Sequence, residues 1–132
     1  MGLFYVKGSL TGPTGRREED ELLVDTGATC GERSRTTLLV VPRPMAERLA
    51  LLPTRSQRVR IAGGSFRAES RGQHEVWPVA EVRVALDGGE TTTPCFIAPD
   101  GPALLGAVAL ESLFLAVDPV AKRLIPVEGF VG

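Results

Sequence analysis

The stretch Leu22-Leu23-Val24-Asp25-Thr26-Gly27-Ala28-Thr29 holds the residue best placed to do chemistry. An ionisable carboxyl directly after three apolar strand residues sits at the edge of a core, where a carboxylate must be paired or hydrogen-bonded. Thr26 offers a hydroxyl, Gly27 lets backbone come close and Ala28 adds no bulk. A loop of this kind can turn several backbone N–H groups toward a carboxylate and favour its charged form. Two readings fit the residues themselves. The loop holds a functional carboxylate in its charged form, or the strand simply ends in an Asx-type turn.

Other reactive side chains are sparse. Cys30 lies near Asp25, but the single histidine, His74, is far away in sequence, which disfavours a Cys-His nucleophilic pair. Cys95, inside Pro94-Cys95-Phe96-Ile97, reads as a buried small hydrophobe. Two cysteines and one histidine without close spacing do not make a zinc site, so neither metal nor cofactor is expected. No Gly-x-Ser-x-Gly elbow is present for serine hydrolase chemistry. Arg55, Arg58, Arg60 and Arg67 form a basic stretch with no acid until Glu69. It is either a solvated strand face or a surface that favours acidic residues in a ligand. Trp77, before Pro78, reads as core or rim packing.

These residues must be positioned by short strands. The chain has 132 residues, 43% hydrophobic and 23% charged, enough for one domain spanning residues 1–132 with one modest core. The net charge of -1 disfavours nucleic acid as the main partner, and no apolar run reaches the ~18–20 residues of a membrane helix. With two cysteines and no signal-peptide pattern at the start, a cytoplasmic protein is the expectation. Fifteen glycines and ten prolines punctuate the sequence as turns do. Strands are predicted over Leu3–Leu10, Leu22–Val24, Leu38–Val41, Arg58–Ile61, Phe66–Ser70, Glu75–Leu86, Glu90–Ala98 and Leu115–Val117, with Leu124–Phe130 extended. Helices are predicted over Pro42–Leu51 and Ala107–Phe114. The fold class is all-β, a closed barrel or a sandwich, with one or two short helices.

A second motif joins the first. Ala103-Leu104-Leu105-Gly106-Ala107 is an apolar strand running into Gly106, followed by a short helix and later by Val117-Asp118-Pro119. With Asp25-Thr26-Gly27-Ala28-Thr29, this pattern resembles the retropepsin-like aspartic proteases, the single-domain retroviral type and its bacterial relatives. Ile61-Ala62-Gly63-Gly64-Ser65-Phe66 lies where that family carries its glycine-rich flap, and Arg123-Leu124-Ile125-Pro126 resembles the ending of bacterial members. The likeness runs from Leu3 to Val127.

The resemblance implies a closed retropepsin-like acid-protease β-barrel and a homodimer, since one Asp-Thr-Gly is half a site. The two Asp25 carboxyls would meet on the symmetry axis. At ~3 Å and an effective dielectric of ~20, two carboxylates repel by roughly 5 kcal/mol, so the pair would share one proton near neutral pH, as is established for aspartic proteases. The charged Asp25 would take a proton from water as it attacks a peptide carbonyl, and the protonated one would polarise the carbonyl oxygen. Thr26 would bond across the dimer, Gly27 and Ala28 would give close contact, and Gly106 would let the second loop pack behind Asp25. Ala62, Gly63, Gly64 and Ser65 would close over a protein or peptide substrate bound as an extended strand. The chain ends, Leu3–Lys7 and Leu124–Val131, are assigned by the resemblance to a sheet between subunits. The sequence departs from the family pattern at Cys30–Thr37, an extra polar segment beside the site. A non-catalytic dimeric peptide-binding module on the same fold is the alternative.

Overall fold

A computed structural model of the chain describes residues 3–25, 36–61, 74–129 and 131–132. Two long strands open it, β1 (Leu3–Thr11) and β2 (Arg17–Asp25), paired antiparallel from Leu3↔Asp25 to Thr11↔Arg17. The turn between them closes with the Gly12 N–H donating to Arg16 O at 2.8 Å, and Gly15 there has φ +93°, a conformation that favours glycine. The charged run before Leu22 is thus the solvated first half of β2.

Next come β3 (Leu39–Pro42), α1 (Arg43–Arg48), β4 (Arg55–Arg60), β5 (His74–Leu86) and β6 (Gly89–Ala98). The chain ends with β7 (Leu104–Leu105), α2 (Ala107–Ser112), β8 (Leu115–Asp118) and β9 (Arg123–Pro126). Seven strands form one sheet in the order β1-β2-β7-β3-β6-β5-β4, and it closes into a ring where β1 residues 9–11 pair with β5 residues 83–85. β2–β7 and β3–β6 are parallel and the other pairs antiparallel. β8 and β9 make a separate hairpin. The molecule is therefore mostly β with two short helices. No helix among the described residues is long and apolar enough to cross a membrane.

Closure requires a glycine. A Cβ at Gly8 would meet Leu86 Cδ2 at 2.6 Å and Ala85 O at 2.9 Å, so a side chain there would push β1 away from the end of β5. Inside the ring, alternate residues of the strands form one apolar cluster that includes Leu10, Leu22, Val24, Leu39, Val41, Val82, Val84 and Cys95. α1 and α2 cap it with Met45, Ala46, Leu49, Ala109 and Leu110. A second cluster, Leu23, Val40, Ile61, Trp77, Ala98 and Leu104, lies on the opposite face of β2, β3 and β7.

Several elements differ in length from expectation, each for a local reason. The helix predicted to Leu51 ends at Arg48, because Ala50 turns left-handed (φ +55°) and the Leu51 N–H donates back to Ala46 O at 3.0 Å. Alanine occupies a position that favours glycine, so Ala50→Gly is expected to raise stability by about 0.5 kcal/mol, read as a higher chemical-denaturation midpoint. The second helix stops at Ser112, not Phe114, whose φ is +56°. The strand predicted from Arg58 begins at Arg55, extended by the Arg55↔Val79 pair. Of the stretch predicted to be extended over residues 124–130, the paired part is β9, closed by Asp118 Oδ1 accepting the N–H groups of Val120 and Ala121. The strand expected over Phe66–Ser70 lies outside the described residues.

Candidate functional site

β2 carries Leu22-Leu23-Val24 into Asp25, and β7 carries Leu104-Leu105 into Gly106. The two strands run parallel with Leu23 opposite Leu104 and Val24 opposite Leu105, and the Leu23 N–H donates to Ala103 O at 2.9 Å. Asp25 and Gly106 are each one residue past the last of these pairs. Two motifs separated by some eighty positions in sequence therefore end side by side, at the same end of the sheet.

Gly106 is required for space. Its backbone is extended (φ -96°), which any residue can adopt, but a Cβ would lie 2.3 Å from Leu38 O and 2.6 Å from Thr37 O. Immediately after it, the first turn of α2 holds the same segment. The Ala107 N–H donates to Thr36 O at 3.0 Å and the Val108 N–H to Thr37 O at 2.9 Å. The chain that leaves β2 at Asp25 is thus held again at Thr36–Leu38 by the segment that runs from β7 into α2. Both anchors of the Asp25 loop sit on one short piece of backbone.

The second apolar cluster flanks this place. Leu23 and Leu104, the paired residues beneath the motif ends, pack with Ile61 and Trp77. The rings of Trp77 and Phe96 meet edge to face, 6.0 Å between centroids. The Trp77 indole N–H donates to Glu75 Oε1 at 2.8 Å, which satisfies a buried donor. Ile61 follows β4 directly, so the base of the β4–β5 ribbon packs against the strand that ends in Asp25.

Among the residues singled out from sequence, the backbone of Asp25 and Gly106 are brought together. Thr26, Gly27, Ala28, Cys30, Ala62, Gly63, Gly64 and Ser65 lie outside the described residues. Residues 3–7, assigned by resemblance to a sheet between subunits, form one edge pairing within the chain, against residues 25–21 of β2. Leu124 pairs with Val117 in the β8–β9 hairpin. The other edge of β1 residues 3–8 has no strand beside it among the described residues, because β5 pairs with residues 9–11 alone.

Along that edge runs a groove of about 790 Å³, lined by Val6, Leu86, Leu113, Leu115, Leu124 and Pro126, with Lys7 and Asp87 also at its wall. Phe114 (55% exposed) and Val127 (45%) stand at it uncovered. Sequence inspection missed this groove, because β1, the β5–β6 turn and the C-terminal hairpin meet only in three dimensions. It equally missed Thr36 and Thr37, whose contribution is a backbone carbonyl and has no side-chain signature.

Cys95 plays no part in this arrangement. It is fully buried in the first cluster, as its apolar neighbours in sequence suggest, and burial pushes its thiol up to about 12, opposed by the Ala80 backbone hydrogen bond. The thiolate is the reactive form. Cys95 should therefore resist iodoacetamide at pH 8 in the folded protein and react on unfolding, as peptide mass mapping will show separately from Cys30. Because the folded-state value is raised, the neutral thiol costs nothing below the ordinary thiol range. The folded state should lose stability as pH rises from that range toward 12.

Comparison of the chain with models of protein families, with curated proteins and with solved structures returned no match.

Proposed function

We propose that this chain is a homodimeric aspartic endopeptidase, its ring of strands a closed retropepsin-like barrel. One observation carries the reading: an apolar strand ending at Asp25 and an apolar strand leading into Gly106 lie parallel and in register, and the chain is held both at residues 23–25 and at residues 36–38 by the second strand and its helix. A turn that merely ended a strand would need no such double anchorage. A catalytic carboxyl does, because its position must be held to a fraction of an ångström.

Each chain supplies one such carboxyl, so the reaction calls for a second copy. The edge of β1 that has no strand beside it among the described residues, together with the apolar groove at Phe114 and Val127, supports an association of that kind, since exposed apolar surface beside such an edge invites a partner. In the dimer the two Asp25 groups share one proton. The ionised group removes a proton from water while the oxygen attacks the peptide carbonyl, and the protonated group donates to the developing oxyanion. Collapse of the tetrahedral intermediate passes the proton to the leaving amine. The reading needs neither metal nor cofactor.

Incubation of the wild type and Asp25→Asn with a diverse peptide library, from acidic to neutral pH, tests it. Cleavage by the wild type alone is the expected result. Cleavage that survives in the variant removes Asp25 from the mechanism, and cleavage by neither leaves a peptide-binding module.

A further inference from the structure

β4 is the terminal strand of the sheet: one edge pairs with β5, and the other has no strand among the described residues. Its register with β5 sets Arg58 opposite Val76 and Arg60 opposite His74. Strand alternation places these four residues on one face of the β4–β5 ribbon, while Val59 and Trp77 face the second apolar cluster. Arg58, Arg60, His74 and Val76 are all exposed, Val76 to 66%. Elsewhere four arginines are matched, Arg17 with Glu19, Arg48 with Glu18, Arg83 with Glu90 and Arg123 with Asp118, while Arg16 and Arg43 stand singly without a carboxylate among the described residues. Among the described residues, no carboxylate pairs with Arg55, Arg58 or Arg60. In a chain with a net charge of -1, three unmatched arginines thus fall within the six residues of one strand edge that has no strand beside it among the described residues.

We propose that this edge binds an acidic, extended polypeptide segment, by adding it as a strand to β4 with its carboxylates set against Arg58 and Arg60. Open N–H and C=O groups of an edge strand supply sequence-independent affinity, and side chains at alternate positions supply selectivity. The arginines supply that selectivity here, because a guanidinium pairs with a carboxylate by two parallel hydrogen bonds. An acidic segment also has a charge reason to approach this edge rather than the acid-rich first half of β2, where Glu18, Glu19, Asp20 and Glu21 follow one another. Val76, exposed between the charges, offers an apolar contact to the same segment.

The inference rests on the endopeptidase reading for what the segment is: the flank of a substrate. Ile61, one residue past Arg60, packs with Leu23 and Leu104 beside the end of β2, so β4 runs outward from the candidate site. At ~3.3 Å per residue its six residues extend roughly 17–20 Å. Substrates are therefore polypeptides whose acidic residues lie several positions to one side of the bond that is cut.

A charged edge that served merely to prevent aggregation would work with either sign. Charge reversal therefore separates the two roles. Initial rates are measured for the wild type, Arg58→Glu/Arg60→Glu and Arg58→Lys/Arg60→Lys on peptides that differ only in an acidic, neutral or basic flank. For the wild type, KM for the acidic flank should be about five- to tenfold below that for the neutral one with kcat unchanged, as two exposed ion pairs provide. The reversed variant should prefer the basic flank, and the lysine variant should keep part of the original preference. No acidic preference in the wild type, or its survival in the reversed variant, overturns the proposal. Binding of fluorescent acidic, neutral and basic peptides to the Asp25→Asn protein, read by anisotropy, makes the second arm. Acidic selectivity there without cleavage by the wild type upholds the edge and rejects the endopeptidase. Cleavage without that selectivity rejects the edge alone.

Discussion

Gly106→Ala is expected to lower the stability of the protein by about 3 kcal/mol, because the added methyl has nowhere to go. Its nearest neighbours would be Leu38 O at 2.3 Å, Leu38 C at 2.6 Å and Thr37 O at 2.6 Å, all backbone, so no side-chain rotation can relieve the clash. Either β7 moves away from β2, which breaks the Leu23–Leu104 and Val24–Leu105 pairs, or the 36–38 segment moves and strains the hydrogen bonds from Ala107 and Val108. Both movements act on the anchors of the Asp25 loop. Peptidase activity should therefore fall further than the folded fraction does, even at temperatures where the variant remains folded. Gly89→Ala is the stability control: its Cβ would meet Leu113 Cδ2 at 3.6 Å, an ordinary contact, and stability should stay near that of the wild type. Denaturant titration of the two variants checks the first statement, and rates at matched folded fraction check the second. A Gly106→Ala protein as stable as the control would mean that the Thr37–Leu38 backbone is not held there.

The legible part of the candidate site in sequence was its two motifs, and the illegible part was the backbone that holds them. An apolar strand ending in an acid, and another ending in glycine, are patterns of side chains, and side chains are what a sequence displays. Strand alternation likewise disclosed β5 and β6, whose buried residues Val82, Val84 and Cys95 fall at period two, and the Asp87-Gly88 turn between them. The parallel neighbours β2–β7 and β3–β6 were not foreseen, since strands far apart in sequence leave no local trace of their pairing. Helix ends were misplaced for a related reason. Ala50 and Phe114 take left-handed conformations that their own types disfavour, and hydrogen bonds at the ends of α1 and α2 override the preference. The strand read over residues 3–10 was legible, but its partner was not: the resemblance assigns residues 3–7 to a sheet between subunits, and their register with residues 21–25 makes them part of the strand pair that carries Asp25.

Asp25→Asn should abolish peptide hydrolysis, and the way it does so in mixtures distinguishes a shared site from two separate ones. If a single carboxyl were sufficient, mixing equal amounts of wild-type and variant chains would leave half the activity. If one Asp25 from each subunit is needed, random exchange leaves both groups in about a quarter of the dimers, and activity falls as the square of the wild-type fraction. The proposed mechanism needs the pair because it uses two protonation states of one residue type, and repulsion between adjacent carboxylates would set them apart. Asparagine can donate a hydrogen bond to a carbonyl oxygen but cannot accept the proton from water, so a mixed dimer loses the base whenever the remaining Asp25 must serve as the acid. The same exchange yields a second measurement. On the proposed mechanism, dilution should reduce specific activity of the wild type with a transition that coincides with dissociation in sedimentation, since a lone chain would hold half of the acid–base machinery. Linear loss on mixing, with activity independent of concentration, would place a complete site in one chain and require a second acid among its own residues.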